Sequence, residues 1–436
     1  MKKNIVFVLC FFVLQSVLFA QQFPVYTRQL NNGLQVIVCE KPGNDFAEVQ
    51  VWYRTGSKDE HAGIRGMAHM FEHMMFRGTK KYPGNFFEEV NRKFGWQSNA
   101  YTTFDQTVYH EYVPLSSLDT AFDIEADRMA NLVITQDILN TERQVVGEEY
   151  RNGMNNWYQK MQKELYPFLY PKGHPYEVDV IGNLDEITSF TTEQCMDFYQ
   201  SYYSPNNAFV VVVGNVKAND IFAKAEKYFS PITKQLVIPE KANIPDIQNH
   251  HVQKEEFEIE MPLQIYTLSV PSPAAADEDF LAFKMLTEIL FTDPNSILIN
   301  RLVKKEFLAY GVQQNNTFLN LYPTMMNISI VMPMQMGNNK VKKIIRDEIS
   351  NIIENGIDTE HMQSYIKSNE ASQLLSFYQA GEIASQLGSF QYYYKDCQRA
   401  FSLTDLYRKI NSSDLQRVAA KYYQPDQLQF INMKPQ

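Results

Sequence analysis

The sequence predicts an α+β fold of two similar halves, each a mostly antiparallel β-sheet packed with helices. Three observations support this prediction. Strand-like and helix-like segments are mixed without the regular alternation that builds a parallel sheet. The order of strand, polar loop and apolar helix at 47–76 returns loosely at 263–291. Between the halves, 236–253 is polar, contains two prolines and lacks a helical period, which is typical of a linker.

We therefore expect a first domain at 21–235 and a second at 254–436. Residues 1–20 contain two lysines, an apolar run and a final Ala20 before two glutamines. This pattern is typical of a secretory signal peptide that is cleaved after Ala20. The alternative is a membrane anchor, but the apolar run is somewhat shorter than the ~20 residues of a membrane span. We expect an exported protein, either periplasmic or secreted.

Charge and cysteine content exclude some classes of function. The net charge is −10 at pH 7 and no basic block is present, which argues against nucleic acid or an anionic membrane as the main partner. Outside the leader, Cys39, Cys195 and Cys397 are far apart and form no Cys-x-x-Cys motif. An odd number leaves at least one thiol unpaired, so neither a disulfide scaffold nor a cysteine-ligated metal is expected.

Turn residues and hydrophobic periodicity define the elements of the first half. In chain order they are a strand, Asn-Asn-Gly turn and strand at 22–40, a strand at 46–53, an apolar helix at 63–76, a strand pair or one bent strand at 99–114, helices at 116–132 and 137–151, and a helix, turn and buried strand at 192–214. In the second half, the helix that corresponds to 66–76 has no histidine, and its Glu288 has no partner in the pattern. Only the first half therefore carries a chemical cluster.

The segment "GMAHMFEHMMFRGT" places His69, Glu72 and His73 among apolar residues. Positions i and i+4 of a helix lie one turn apart on one face, so both imidazoles can reach one metal ion. Glu72 is rotated by roughly 100° from His73 and can face a metal-bound water without being a ligand. Zinc suits such ligands. The alternative is packed core histidines, but burying this cluster unpaired would cost several kcal/mol.

The order His-x-x-Glu-His is the inverzincin signature, which needs a distant third ligand. The segment "NTERQVVGEEYRNG" offers Glu142, Glu148 and Glu149. Glu142 and Glu149 are seven residues apart, two helical turns, and share one face. For this segment alone, a solvated acidic helix is the simpler interpretation.

The sequence resembles the pitrilysin, insulysin and mitochondrial processing peptidase family. "HMFEHMMFRGT" is similar to the family's zinc motif and "ERQVVGEE" to its second motif, while "HPYEVDVIGNLDEI" and "FYQSYYSPNNAFVVVVGNV" extend the similarity along the chain. The resemblance implies the α+β, metallohydrolase-like fold of mitochondrial processing peptidase and one Zn²⁺ per chain. The family's third ligand lies about 76 residues beyond its second histidine, at Glu149 here.

The resemblance also implies a role for each residue of the two motifs. His69, His73 and Glu149 would bind zinc, Glu72 would be the general base that activates the zinc-bound water, Glu142 would support the site without binding metal, and Glu148 would be a bystander. "NAYTT" resembles the family's substrate strand, in which Asn99 and Ala100 would hold the peptide backbone by β-augmentation. Without the resemblance, an ordinary strand is the simpler interpretation.

The second half departs from the family at one position. "RLVKKEFLAYGV" resembles a substrate-binding element that has an arginine and a tyrosine seven residues apart. Tyr310 matches the tyrosine, but Val303 stands where the arginine is expected. Arg301, Lys304 and Lys305 are nearby substitutes, although on a helix the two lysines would point elsewhere. This departure puts self-sufficient catalysis in doubt.

These observations predict a zinc metalloendopeptidase that hydrolyses unfolded peptides. The family encloses its substrate between four domains, and this chain has two, so we expect a dimer. The loss at Val303 leads to the hypothesis that the partner is a zinc-less paralogous subunit that supplies the arginine. Two alternatives are a non-catalytic or partner-dependent subunit, and an exported zinc-binding protein without turnover, which would not need Glu72.

Overall fold

The computed structural model describes residues 23–435 apart from 85, 236–242, 248–249, 253–254, 262, 316–318 and 335–336. The predicted signal peptide at 1–20 lies outside the described residues, as do parts of the predicted linker at 236–253. Among the helices that the structure describes, none combines the length and the apolar character that crossing a bilayer requires.

The first half of the chain forms a six-stranded sheet. Its strands are β1 (Val25–Gln29), β2 (Gln35–Glu40), β3 (Phe46–Tyr53), β4 (Gln97–Thr102), β5 (Thr107–Pro114) and β6 (Ala208–Gly214). Their order is β1-β2-β6-β3-β5-β4, and only the β2–β6 pair is parallel. The alternating segment at 99–114 is thus a strand pair, and it leaves β4 at one edge of the sheet.

A five-stranded sheet forms the second half. Its strands are β7 (Glu256–Ile259), β8 (Gln264–Ser272), β9 (Gly311–Gln314), β10 (Thr324–Met332) and β11 (Gln429–Pro435). They lie in the order β7-β11-β8-β10-β9, with only β7 and β11 parallel. Two mostly antiparallel sheets with helices confirm the predicted α+β class.

Helices cover both sheets. Those described in the first half are α1 (Met67–Met74), α2 (Phe86–Phe94), α3 (Leu118–Asn131), α4 (Gln136–Asn155), α5 (Trp157–Leu169), α6 (Leu184–Ser189), α7 (Thr192–Tyr202) and α8 (Ala218–Phe229). Those described in the second half are α9 (Phe280–Thr287), α10 (Asn338–Asn355), α11 (Thr359–Ser376), α12 (Ala380–Tyr394), α13 (Leu403–Arg408) and α14 (Ser412–Tyr422). Two π-helical segments, Glu288–Thr292 and Ile299–Lys305, follow α9.

The two halves share one core because α12 packs on the first sheet. Gly388 of α12 lies against the indole of Trp52 on β3 so closely that a Cβ at this position has no room. Val211 of β6 and Leu387 of α12 belong to the same buried cluster. A sheet that is covered on both faces needs apolar side chains on both, which explains the continuous apolar run of β6.

A buried aspartate in the turn between β4 and β5 joins the halves. The carboxylate of Asp105 accepts hydrogen bonds from the Tyr176 hydroxyl at 2.7 Å, the Leu321 backbone N–H at 2.8 Å and the Tyr393 hydroxyl at 3.2 Å. Leu321 and Tyr393 belong to the second half. Burial raises the pKa of Asp105, while its donors and Lys58 oppose that rise. The turn that follows the edge strand β4 is thereby fixed to the second half.

The structure predicts acid sensitivity at His174, which is 1% exposed. Burial lowers the pKa of His174 to about 4, and its Nδ1 accepts a hydrogen bond from the Tyr176 N–H at 3.1 Å. The unfolded chain binds this proton near pH 6.5, so stability is lost as the pH falls from 6.5 towards 4. Between pH 7 and 5 we expect the wild type to lose on the order of 2 kcal/mol of unfolding free energy at this site.

Urea unfolding of the wild type and His174→Asn at pH 7 and pH 5 measures this contribution. Asparagine retains an acceptor for the Tyr176 N–H but does not titrate. The difference in stability between the two proteins should therefore shrink at the lower pH. An equal loss in both proteins would show that His174 is not the sensitive group.

Glu288 of the second-half repeat has structural partners that the histidine pattern does not contain. The sequence leaves Glu288 without a partner, but its carboxylate pairs with Lys284 at 2.5 Å and accepts a hydrogen bond from the Tyr365 hydroxyl at 2.5 Å. The partners come from one turn before on the helix and from α11. The second half therefore has a structural ion pair where the first half has its histidine cluster.

The structure contains the unpaired thiol that the odd number of cysteines predicts. Cys39, Cys195 and Cys397 are buried and unpaired. Burial raises the pKa of the Cys39 thiol to about 12 and that of the Cys397 thiol to about 11. These thiols stay neutral and are poor metal ligands, because the thiolate is the form that binds metal.

Candidate metal centre

The N-terminus of α1 is fixed by a glycine that no other residue can replace. Gly66 precedes the helix with φ = 97°, a left-handed conformation that favours glycine. A Cβ on Gly66 would lie 2.7 Å from the carbonyl oxygen of Ile181. The loop around Ile181 thus lies directly on the start of the helix that carries the two histidines.

A buried carboxylate, which the sequence analysis did not identify, caps the same helix. The two oxygens of Glu60 accept hydrogen bonds from the N–H groups of Gly66 at 2.7 Å and Ala68 at 2.8 Å. Burial raises the pKa of Glu60 to about 8, although both N–H donors favour the ionised form. The first backbone N–H groups at the start of α1, which have no partner within the helix, thereby find an acceptor inside the protein.

Glu60→Ala should destabilise the protein by about 2–4 kcal/mol, because it leaves two buried backbone donors without an acceptor. Glu60→Gln should lose less stability than Glu60→Ala, since the glutamine amide oxygen still accepts one of the two hydrogen bonds. Urea unfolding of the metal-free proteins checks both values. Equal stability of Glu60→Ala and the wild type would contradict the capping role.

Aromatic packing holds the opposite face of α1. The ring of Phe71 packs against Phe198 and Tyr203, with ring centroids 5.6 and 5.1 Å away. The hydroxyl of Tyr109 on β5 donates to the Phe71 carbonyl at 3.1 Å. With Phe71 in the core, the helical period turns the histidines towards α4.

The structure brings together the three predicted metal ligands. Nε2 of His69 lies 3.7 Å and Nε2 of His73 lies 3.4 Å from Oε2 of Glu149. The two imidazole rings are 4.9 Å apart and nearly perpendicular. One ligand atom from each of the three residues lies within 4.8 Å of the others. Helices α1 and α4 thus present two nitrogens and one oxygen to a common point.

Glu142 is a buried residue of α4 and lies beside this group. Its Oε2 lies 3.6 Å from Nδ1 of His73, on the side opposite Glu149, and its Oε1 lies 2.5 Å from Nε of Arg77. Burial favours the neutral acid, but His73 and Arg77 outweigh it and lower the pKa of Glu142. Glu148, by contrast, points outwards and pairs with Arg151 at 2.5 Å.

The protonation of the histidines differs. Burial lowers the pKa of His69, so its imidazole is neutral and has a free lone pair. Burial also acts to lower the pKa of His73. Hydrogen bonds with Glu142 and Glu149 outweigh the effect of burial and raise the pKa of His73 to about 9. Hydrogen bonding to His73 lowers the pKa of Glu149. The carboxylates of Glu142 and Glu149 thus favour positive charge at the position of His73.

These residues fit a zinc ion. In a tetrahedral site with bonds of about 2.1 Å, ligand atoms lie ~3.4 Å apart, close to the separations between Glu149 and the two histidines. Glu142 beside Nδ1 of His73 is the carboxylate that commonly orients a histidine ligand from behind. Two imidazoles and one carboxylate are also a donor set of catalytic zinc sites.

Glu72 lies between this group and the edge strand. Its Oε2 accepts a hydrogen bond from the Thr102 hydroxyl of β4 at 2.7 Å. Glu72, His69 and Glu149 line one cavity of about 400 Å³. The carboxylate therefore faces the same space as two of the three candidate ligands without belonging to their group.

The edge strand β4 contributes Tyr101 and Thr102 to this cavity, and the predicted substrate-binding residues Asn99 and Ala100 precede them on the same strand. Ala100 pairs in register with Tyr109 of β5, but its N–H donates to the Asn99 side chain at 2.9 Å. This local bond indicates that the Ala100 N–H points away from β5, to the open edge. Asn99 itself lines a second, polar cavity of about 830 Å³.

Helix α5 and the loop after it form the far wall of the first cavity. Its remaining lining residues are Tyr101, Thr102, Tyr150, Gly153, Met154, Gln159, Gln162, Lys163, Asp179, Val180 and Ile181. Lys163 donates to the Tyr150 hydroxyl, and its ammonium lies 3.5 Å from the centre of that ring. Burial lowers the pKa of Lys163, while Asp179 opposes this shift.

The second-half candidates do not reach this cavity within one chain. Tyr310 is 66% exposed and is absent from the cavity lining. Val303 packs against the core, and its segment is π-helical rather than α-helical. Arg301 pairs with Glu348, and Lys304 donates to the Pro294 carbonyl at 3.2 Å. Arg301, the nearest substitute for the missing arginine, therefore pairs with Glu348 in this chain.

Sequence reasoning missed four residues of the site for different reasons. Arg77 and Thr102 lie in the predicted motifs, but their partners Glu142 and Glu72 are distant in the chain. Glu60 and Lys163 lie outside these motifs. A carboxylate just before a helix was a usable signal for Glu60; Lys163 had none.

Family models match most of the chain. Residues 35–174 match the insulinase family, peptidase family M16, and residues 189–369 match the peptidase M16 inactive domain. His69, Glu72, His73, Glu142 and Glu149 all lie in the first range.

Curated relatives match over different lengths. The chain is 30% identical over 421 residues to the zinc protease PqqE of Helicobacter pylori, covering 93% of this chain and 92% of the relative. It is 30% identical over 239 residues to the probable zinc protease PqqL of Escherichia coli, covering 53% and 26% respectively. Identity to a probable mitochondrial-processing peptidase subunit beta of Arabidopsis thaliana is 25% over 267 residues, covering 60% and 49%.

Solved structures share the fold. A protease from Helicobacter pylori matches with a TM-score of 0.84 at 26% identity, covering 95% of this chain and 100% of the other. The periplasmic protease PqqL from Escherichia coli matches with a TM-score of 0.77 at 21% identity, covering 94% of this chain but 47% of the other. From its sequence relatives and its fold, the chain belongs to the insulinase family of peptidases, family M16.

Proposed function

We propose that this protein is a zinc-dependent endopeptidase that cleaves unfolded peptides. One observation carries the proposal: His69, His73 and Glu149 converge beside a cavity that Glu72 also lines. In this proposal the three converging residues hold one zinc ion per chain, and Glu142 orients His73 from behind. Bound zinc supplies Lewis-acid polarisation of the scissile carbonyl and lowers the pKa of a water molecule towards ~7.

Glu72 is the general base in the proposed reaction. Its carboxylate takes a proton from the attacking water and returns it to the leaving amine as the peptide C–N bond breaks. Thr102 donates to one oxygen of Glu72, which fixes the orientation of the carboxylate and leaves the second oxygen for the proton. Three carboxylates line the cavity. Glu149 belongs to the candidate metal group and Asp179 lies on the far wall, so Glu72 is the carboxylate that lies beside the metal group without belonging to it.

Substrate is held by β-augmentation on β4. The outward N–H of Ala100 and the carbonyls of this unpaired edge bond to an extended peptide, with Asn99 alongside. Backbone pairing requires an extended chain, so unfolded segments enter and folded proteins do not. Only β5 pairs with β4 among the described strands, which keeps this edge available.

Metal analysis and a cleavage assay on residues 21–436 test the function directly. We expect one zinc per chain and cleavage of peptides from an unstructured library, abolished by a chelator and restored by zinc. Zinc binding without any cleavage would favour the alternative of a non-catalytic or partner-dependent subunit. Absence of zinc binding would contradict the proposal.

We further propose that the active assembly is a dimer. The chain covers 47% of the Escherichia coli PqqL chain, so two copies approach the length of that protease. Val303 lacks the guanidinium expected beside Tyr310, and Arg301 is engaged by Glu348. These observations support a partner that is a zinc-less paralogous subunit and supplies the arginine. Full activity in the purified homodimer would overturn this part of the proposal.

The proposed location is outside the cytoplasm. The leader pattern at 1–20 supports export, and the Escherichia coli relative is a periplasmic protease. N-terminal sequencing of the protein from its native host, with fractionation, would detect a start at Gln21 in the periplasm or medium. An intact Met1 in the cytoplasm would contradict export.

A further inference from the structure

We infer that Lys163 recognises a carboxylate of the substrate in the cavity beside the metal group. This inference rests on the proposed peptidase function and names a chemical class of substrate for it: peptides that present a carboxylate next to the cleaved bond. The carboxylate has two possible sources, an aspartate or glutamate side chain and the free C-terminus of a peptide.

Position is the first argument. Lys163 lines the same cavity of about 400 Å³ as His69, Glu72 and Glu149. The volume falls within the usual range of small-molecule pockets, so it can accept a substrate group beyond the reacting bond. A group that enters this space lies between the metal candidates on one wall and α5 on the other. A charged side chain of α5 that lines this cavity therefore acts on substrate close to the reaction.

Charge is the second argument. Lys163 is the only lysine or arginine among the residues that line this cavity. Its neighbours on the same wall, Gln159 and Gln162, are neutral amides that can donate hydrogen bonds. Of the lining acids, Glu149 belongs to the candidate metal group and Glu72 is held by Thr102. The α5 residues that line the cavity are thus donors, and Asp179 in the loop after α5 is the acidic side chain of this wall.

The unused capacity of the ammonium is the third argument. Among the described residues, Lys163 forms no ion pair, and its hydrogen bond goes to the neutral Tyr150 hydroxyl. Asp179, the remaining lining acid, accepts from the Val180 N–H at 2.7 Å and attracts the Lys163 ammonium from a distance, without forming an ion pair with it. A lysine ammonium has three donors, so a partly buried one that uses a single neutral acceptor can bind an incoming carboxylate. The ring of Tyr150 holds the ammonium in position.

Binding and cleavage of matched peptides test the inference. The probes are fluorescein-labelled, unstructured decapeptides that differ by glutamate or glutamine at each position around a cut site, each with a free or an amidated C-terminus. Binding is measured by fluorescence anisotropy on zinc-loaded Glu72→Gln protein, and kcat/KM is measured on proteins that retain Glu72. The variants are Lys163→Met and Lys163→Glu, with Lys160→Met as the matched control on the same helix, outside the cavity lining.

We expect about tenfold tighter binding of the best carboxylate peptide than of its neutral match, as for one charge-assisted hydrogen bond. Lys163→Met should remove the difference, Lys163→Glu should reverse it, and Lys160→Met should preserve it. A preference that follows glutamate assigns the carboxylate to a side chain, and one that disappears on amidation assigns it to the C-terminus.

No preference in the wild type, or the same preference in Lys163→Met, would overturn the inference. An equal loss of cleavage for charged and neutral peptides would also overturn it, because Lys163 would then act on structure or chemistry and not on selection. Failure of the peptidase proposal is distinguishable, because wild-type protein would cleave no peptide while the anisotropy measurement still compares binding.

Discussion

Glu72→Gln should retain zinc and lose peptide cleavage by about a hundredfold to ten-thousandfold, the usual contribution of a general base. Glutamine has nearly the same shape, and its amide oxygen can still accept the Thr102 hydrogen bond that holds Glu72 at 2.7 Å. What it loses is the ability to take a proton from water. The change therefore separates chemistry from metal binding and from folding.

The measurement pairs zinc content per chain with kcat on one cleavable peptide. Glu148→Gln is the control, because it makes the same chemical change on an exposed residue that pairs with Arg151. Activity of Glu72→Gln within a few-fold of the wild type would remove Glu72 as the base. Loss of zinc in Glu72→Gln would instead make it a ligand, which contradicts the role assigned to it.

Glu149→Ala should weaken zinc binding by more than about a hundredfold, since even residues behind the ligands typically cost 10–100-fold. Glu149 supplies the only candidate ligand from α4, and its Oε2 is the atom that both histidine Nε2 atoms approach. Removing it leaves two imidazoles on one helix and an open side towards the cavity.

Competition with a fluorescent zinc chelator measures this affinity, and thermal unfolding with added zinc gives a second readout. A ligand at a hundred times its Kd stabilises a folded protein by about 2.7 kcal/mol, so the zinc-dependent rise in Tm should largely vanish in Glu149→Ala. Glu148→Ala, one residue away on the same helix, should keep the rise. Unchanged affinity in Glu149→Ala would exclude it as the third ligand.

Much of the local structure was accessible from the sequence. The spacing of His69 and His73 predicted a shared helical face, and α1 carries both towards one point. Seven-residue spacing placed Glu142 and Glu149 on one face of α4, and both meet His73. The strands were predicted from alternation and turn residues, because these patterns depend on a repeat of two residues and not on distant contacts.

Residue spacing alone could not choose among Glu142, Glu148 and Glu149. Resemblance to the family singled out Glu149, whose Oε2 lies 3.7 Å from Nε2 of His69 and 3.4 Å from Nε2 of His73. Of the two partners of Glu288, Lys284 lies one turn away, whereas Tyr365 lies on another helix, far along the chain, and could not be predicted from spacing. No sequence motif predicted the cavity wall that α5 forms.

The sequence by itself determined the fold class, the histidine helix and the acidic helix that faces it, because helical and strand periodicities are local properties of the chain. Only the tertiary structure decided how these parts meet. Packing of α1, α4 and α5 around the edge strand β4 brings Glu72 to Thr102, Glu142 to Arg77 and Lys163 into the cavity that the metal candidates also line. Such encounters join residues that are distant in sequence, and close packing of the shared core sets their distances.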